Sequence, residues 1–160
     1  LPGLYPSQQA QLLNKVQLSL EVITFLAIRV FTNLGNTFKD LNQFDNAIKS
    51  YKKAIKLNPN FAEAHNNLGN TLKDNSQLNE AIKSYKKAID INPKFEQAFY
   101  NLGIAYKFLH NNNQAVDCFK SAIEINPNFA KAYNNLGAAY TALGELKIAV
   151  ECYEKAINID

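Results

Sequence analysis

The stretch Phe61-Ala-Glu-Ala-His-Asn-Asn-Leu-Gly69, with Ala81-Ile-Lys-Ser-Tyr-Lys-Lys-Ala-Ile-Asp-Ile-Asn-Pro93 after it, decides the fold, because both parts return at a fixed interval. Asn-Leu-Gly stands at 33–35, 67–69, 101–103 and 135–137, and Asn-Pro at 58–59, 92–93 and 126–127. The glycine spacing is 69 − 35 = 34, 103 − 69 = 34 and 137 − 103 = 34. A constant period of this length marks stacked supersecondary units, each too small to bury its apolar face alone.

Inside residues 62–95, Ala64, Leu68 and Leu72 recur every four residues. After Asn75-Ser76 a second series runs Leu78, Ala81, Ile82, Tyr85, Ala88, Ile89. Both are helix-period stripes, and no segment alternates apolar and polar residues long enough for a strand. The pattern predicts an all-α chain whose units are antiparallel helix pairs at 28–61, 62–95, 96–129 and 130–160, the last without its final positions. Asn92 is expected to cap the next helix, with Pro93 in its first position. Gly69, Ala81 and Ala88 are expected to let paired helices approach, while Tyr85 and its equivalents Tyr51, Phe119 and Tyr153 fill the space between repeats. The repeat uses four of the six glycines and three of the five prolines, and the two glycines left, Gly3 and Gly144, are too far apart in sequence to make a phosphate-binding loop.

Residues 1–27 lie outside the repeat. Pro2 and Pro6 suggest an irregular start, Ser7 an N-cap, and Leu12, Leu13, Val16, Leu20 and Ile23 a helix from about Gln8 that nothing interrupts before Gly35. Val22 to Phe31 is unusually apolar. It reads either as a cap over the open end of the array or as an arm that docks on another copy or in the chain's own groove. The longest unbroken apolar piece there, Phe25 to Ile28, is far short of the ~20 residues that cross a bilayer, so no membrane span is expected. Residues 1–15 lack a basic n-region, so no signal peptide is expected, and the absence of methionine suggests an excised or processed fragment.

With 160 residues, 47% of them hydrophobic, the chain is not a disordered one. The net charge of +3 gives little reason to expect a nucleic-acid partner. Lys49, Lys52, Lys53, Lys56, Lys83, Lys86 and Lys87 read as a solvated outer face, since repeats three and four put Asp117, Glu124, Glu151 and Glu154 there. Cys118 and Cys152 are 152 − 118 = 34 apart. Equivalent positions in stacked helices are roughly 8–10 Å apart, beyond the ~7 Å that a disulfide tolerates. Two free thiols and no Asn-x-Ser/Thr sequon point to a reducing, cytoplasmic setting. His65 is expected to be a packed core histidine and His110 a solvated turn residue. No catalytic constellation, metal-ligand spacing or cofactor motif is left over, so the chain reads as a non-enzyme.

The pattern resembles the tetratricopeptide repeat (TPR) family. Repeat three carries the whole signature in Phe99, Leu102, Gly103, Tyr106, Ala115, Phe119, Ala122 and Pro127. Repeat four carries Tyr133, Leu136, Gly137, Tyr140, Ala149, Tyr153 and Ala156, and repeat two departs at His65 and Leu72. The resemblance implies a right-handed superhelix whose first helices line a concave groove that binds a peptide of a partner protein. Carried over position by position, it puts Arg29, Glu63, Gln97 and Lys131 in that groove, then Thr32, Asn66, Tyr100 and Asn134, then Asn33, Asn67, Asn101 and Asn135. Next come Asn36, Asn70, Ile104 and Ala138, then Lys39, Lys73, Lys107 and Thr141, then Asp40, Asp74, Phe108 and Ala142. Such a groove is polar and basic in its N-terminal half and more apolar beyond Tyr100.

Asn at one position in all four repeats suggests a ladder whose amides, donor and acceptor both, hold the backbone of an extended peptide. The competing reading is that these amides only order the stack. The ladder is similar to that of the TPR region of O-GlcNAc transferases, as is Ala64-His-Asn-Asn-Leu-Gly-Asn-Thr-Leu-Lys73. The carboxylate clamp of chaperone-adaptor TPRs is not matched, because Thr32, Asn66, Tyr100 and Asn134 replace its lysine. The sequence thus points to a non-catalytic protein-interaction module. Alternatives are a self-association scaffold through Val22–Phe31 and an uncapped C-terminal end, or the TPR portion of a larger glycosyltransferase-like enzyme.

Overall fold

The computed structural model describes residues 5–159, which form eight α-helices with no strand among them. They are α1 (Pro6–Asp40), α2 (Phe44–Leu57), α3 (Ala62–Asp74), α4 (Leu78–Ile91), α5 (Glu96–Phe108), α6 (Asn112–Ile125), α7 (Ala130–Leu143) and α8 (Leu146–Ile159). Each odd helix packs along the even helix that follows it, and α2, α4 and α6 pack in turn on α3, α5 and α7. The inner helices α1, α3, α5 and α7 also touch in succession, whereas α2, α4, α6 and α8 do not touch one another. One row closer together than the other bends the stack, so this all-α solenoid is concave on the side of its first helices.

The joint within each repeat is a glycine under an aromatic ring. A Cβ at Gly69 would stand 2.6 Å from Cε1 of Tyr85, and at Gly35, Gly103 and Gly137 it would stand 2.6, 2.6 and 2.8 Å from the rings of Tyr51, Phe119 and Tyr153. Tyr51, Tyr85 and Phe119 are wholly buried. These rings therefore work inside their own helix pair, a tighter role than the inter-repeat filling the spacing suggested. Ala47, Ala81, Ala115 and Ala149, spaced like the glycines, are buried in the same core.

The caps at the repeat junctions differ from the sequence expectation. Asn58, Asn92 and Asn126 end the preceding helix in an extended conformation, because the residue before a proline is held out of the α region. Their Oδ1 atoms accept the N–H two residues on, at 3.0–3.1 Å. Their carbonyls accept from Phe61, Phe95 and Phe129, which occupy the N-cap positions of the next helices. Pro93 is thus the second residue of an Asx turn, and Asn92 caps nothing downstream. Within each repeat the turn passes through the left-handed region at Asn42, Ser76, His110 and Gly144 (φ 57, 61, 57 and 82°), again spaced by the repeat.

At the N-terminus, Tyr5 is the N-cap of α1, its N–H donating to Gln8 Oε1 at 3.1 Å, and Ser7 lies inside the first turn instead of capping it. Pro2 is outside the described residues. By length and composition α1 is apolar enough to cross a membrane, the one such helix among the described residues. The expectation of no span rests on the longest unbroken apolar run, which Lys15, Glu21 and Arg29 cut short without making the helix polar. His65 is half-buried at the repeat edge, not packed in the core, and its Nε2 lies 3.0 Å from the Pro59 carbonyl.

Gly69→Ala is expected to lower the unfolding free energy by about 1 kcal/mol in chemical denaturation. The overpacking cost of roughly 1–3 kcal/mol outweighs the ~1 kcal/mol gained in helix propensity. Unchanged or raised stability would contradict the assigned role of the ring contact.

Candidate peptide-binding groove

The concave face carries three depressions. One of about 500 Å³ is lined by Phe61, Ala62, Glu63, Asn66, Asn67, Asn92 and Phe95. Two repeats further on, Ala130, Lys131, Asn134 and Asn135 stand at the equivalent positions and, with Tyr100, Tyr153, Ala156 and Ile157, line one of about 590 Å³. Between the two sites Glu63 has become Lys131. A third depression, about 440 Å³, lies among Ile104, Lys107, Phe108, His110 and Asn135. Phe61 and Phe95 were not read from the sequence as site residues, although phenylalanine closes three successive repeats at 61, 95 and 129.

The asparagines do not form a uniform row of open amides. Asn101 is buried, its Nδ2 donating to Asn66 Oδ1 of the preceding repeat at 2.9 Å and its Oδ1 accepting from Gln97 at 3.1 Å. Asn66 is buried too, so this pair orders the stack. Asn135 donates to Tyr100 Oη at 3.2 Å and to the Lys131 carbonyl, and accepts from Lys107 Nζ at 3.0 Å. Asn67 makes one long bond, 3.4 Å, to Asn36 Oδ1. Asn33 and Asn134 are exposed. The Tyr100 ring lies tilted against two rings of its own repeat, 4.9 Å from Phe129 and 5.9 Å from Phe119 between centroids, and burial raises its pKa.

Asn36 and Asn70 were expected only as groove residues, yet they reach inward as well. Their Oδ1 atoms accept the hydroxyls of Tyr51 and Tyr85 at 2.6 and 2.8 Å. Burial first, and the neighbouring Asp40 charge after it, push the Tyr51 pKa up to about 12, offset in part by a Thr71 hydrogen bond. Burial raises that of Tyr85 as well. In repeat three both partners change together, to Ile104 and Phe119, and the polar pair becomes an apolar one. Repeat four keeps Tyr153 but has Ala138, and the hydroxyl lies 3.4 Å from Thr141 Oγ1 instead.

The charges also differ from the expectation of a basic N-terminal half. Asp74 bridges Lys39 of the previous repeat, at 3.3 Å, and Lys73, while Glu63 and Asp40 add further negative charge on the same half. In the C-terminal half the positions of Asp40 and Asp74 are taken by Phe108 and Ala142. Lys107 and Lys131 therefore stand there without a carboxylate at the groove positions, and burial lowers the Lys107 pKa. Phe108, 62% exposed, lines the same depression as Lys107. On the outer helices, Lys86 and Lys120 lie over the rings of Tyr106 and Tyr140 of the next repeat at 6.0 and 5.6 Å, so part of the convex lysine set packs between repeats.

Tyr85→Phe is expected to cost about 1 kcal/mol by removing the hydroxyl that Asn70 accepts. Tyr85→Phe with Asn70→Ile, which copies repeat three, is expected to cost less than the two single changes added, by about 0.5–1 kcal/mol in a thermodynamic cycle. Strict additivity would show that the pair does not act as a unit.

Comparison with known proteins agrees with this architecture. A family model described as TPR repeat matches residues 35–76 and 69–107, and one described as tetratricopeptide repeat matches residues 96–129 and 130–160. Among solved structures, a crystal structure of MamA superposes with a TM-score of 0.78 at 30% identity over 82% of this chain and 77% of that one. A second MamA crystal structure gives 0.76 and 30% over 82% and 72%. MamA 41-end from Desulfovibrio magneticus RS-1 gives 0.75 over 82% and 75%, at 22% identity, a likeness of fold alone. No curated protein sequence matches. The chain belongs to the tetratricopeptide repeat family, and its fold is that of a protein-interaction scaffold.

Proposed function

We propose that the chain is a non-catalytic module that holds an extended segment of a partner protein along its first helices, anchored at the C-terminal half of the groove. The observation that carries this reading is the juxtaposition of Ile104 and exposed Phe108 with Lys107 in one depression and the placing of Lys131 in the next, Asn135 lining both, in a stretch where no groove position supplies an acid. That chemistry suits a peptide with a large apolar side chain next to a carboxylate. An exposed aromatic gives contact area at low entropy cost, and the lysines add charge complementarity that chiefly sets specificity and on-rate.

The remaining amides would hold the peptide backbone where they are open. Asn67 and Asn134 are the best placed, whereas Asn66 and Asn101 are spent on each other. Glu63 at one depression and Lys131 at its equivalent give the groove a direction, from a pole that favours basic residues to one that favours acidic ones. Repeats stacked about 10 Å apart match roughly three residues of extended chain at ~3.3 Å each. The four repeats would thus read a segment of about ten residues.

The test is binding of a diverse peptide library to the parent chain and to Phe108→Asp/Lys131→Glu. Both side chains are exposed, so the array is expected to keep its melting temperature. Enrichment of acidic-apolar peptides by the parent, with at least ~10-fold weaker binding by the variant (about 1.4 kcal/mol), is the expected result. Equal affinity for both proteins, or no peptide retained by the parent, would overturn the reading.

A further inference from the structure

On α1, the side chains from Leu13 to Leu34 follow the spacing 3, 4, 3, 4, 3, 4. Leu13, Leu20, Ala27 and Leu34 fall at one heptad position, a, and Val16, Ile23 and Val30 at the other, d. Apart from half-buried Ala27, every one of them is at least 40% exposed. Three heptads of a/d apolar residues make the seam of a coiled coil. We propose that α1 is a coiled-coil strand that joins copies of this chain, a role independent of the groove.

The seam avoids the side of α1 that the array already uses. Ile28 and Thr32 are buried, and Gly35 lies under Tyr51; these three occupy heptad positions b, f and b, away from a and d. The charged residues Lys15, Glu21 and Arg29 fall at c, b and c, so none is trapped at the seam. The flanking g positions add Leu12 and Leu26, both exposed.

What covers this face can be argued from the rest of the chain. The residues equivalent to Val30 and Leu34 are Ala64 and Leu68, Ala98 and Leu102, and Ala132 and Leu136, and all six are buried. They sit on α3, α5 and α7, each of which packs on the second helix of the repeat before it. In this architecture the face is closed by a helix, and on α1 it extends well beyond the array toward Leu13. A second copy of α1 matches its length and its heptad register. An α8 from another copy, 14 residues long, would cover only part of it.

The area suffices. A buried aliphatic side chain is worth about 2 kcal/mol at ~25 cal/mol/Å², or roughly 80 Å². The seam with Leu12 and Leu26 on two helices therefore buries on the order of 1,400 Å², inside the roughly 1,200–2,000 Å² of stable interfaces. Leu at most a positions and β-branched residues at every d position favour four strands over two when the helices run parallel.

A lipid bilayer is the competing occupant, since α1 is long and apolar enough to span one. The seam argues for protein instead. Gln11, Asn14, Lys15, Gln17 and Glu21 interrupt the rest of its N-terminal half, and its C-terminal half is packed on α2.

The test is sedimentation equilibrium of the full chain and of Leu20→Asp/Ile23→Asp at tens of micromolar, with thermal unfolding of both and flotation of both with phosphatidylcholine vesicles. The parent is expected to form a discrete oligomer. The variant is expected to run as one chain of 18.0 kDa with the array's melting transition kept. A monomeric parent would overturn the proposal, as would a variant that assembles like the parent. Flotation of the parent without self-association would assign α1 to the membrane instead.

Discussion

Every repeat depends on a ring lying against a glycine. The contact between the aromatic of the second helix and the glycine of the first fixes how closely the pair can approach, and it recurs in all four repeats with nearly the same geometry. Because Tyr51, Tyr85 and Phe119 are wholly buried, the rings have no room to yield, and any side chain at the glycine must displace one. The glycines weaken their helices, a local cost that the packed joint offsets. A fixed pair geometry repeated along the chain becomes a fixed curvature. That curvature brings α1, α3, α5 and α7 into one concave surface.

On that surface the repeats are alike in backbone and unlike in chemistry. The first two carry Asn36 with Tyr51 and Asn70 with Tyr85, along with the Lys39–Asp74–Lys73 group, so their polar atoms are largely satisfied within the chain. Repeat three replaces the Asn–Tyr pair by Ile104 and Phe119 and the acid by Phe108, turning the same positions apolar and leaving lysine charge beside them. A polar surface with its partners in place has little to gain from a ligand, whereas exposed Phe108 has apolar area to bury. In the function proposed above, this contrast gives the groove one preferred end.

Much of this was legible in the sequence because period and packing are tied. Glycine, alanine and aromatic positions repeat at one interval and could be assigned to helix pairs before any coordinates. The caps were less legible. Asn92-Pro93 fits a helix start by composition, yet the proline holds Asn92 out of the α region and makes the pair a turn. The ladder was legible as a position but not as a function, since the fate of each amide depends on its neighbour one repeat away. Asn101 meets Asn66, while Asn135 meets Tyr100 and Lys107. Helix α1 was legible as an apolar stripe, but that it is long and apolar enough to cross a membrane was missed by counting unbroken apolar runs.

The central claim is that the curved face of first helices is where a partner docks. An NMR titration of the labelled chain with the tightest peptide from a library selection tests it most directly. The account predicts that amide shifts concentrate on α5 and α7, centred on Lys107, Phe108 and Lys131, with lesser changes on α3. Shifts confined to the outward faces of α2, α4 and α6 would contradict it.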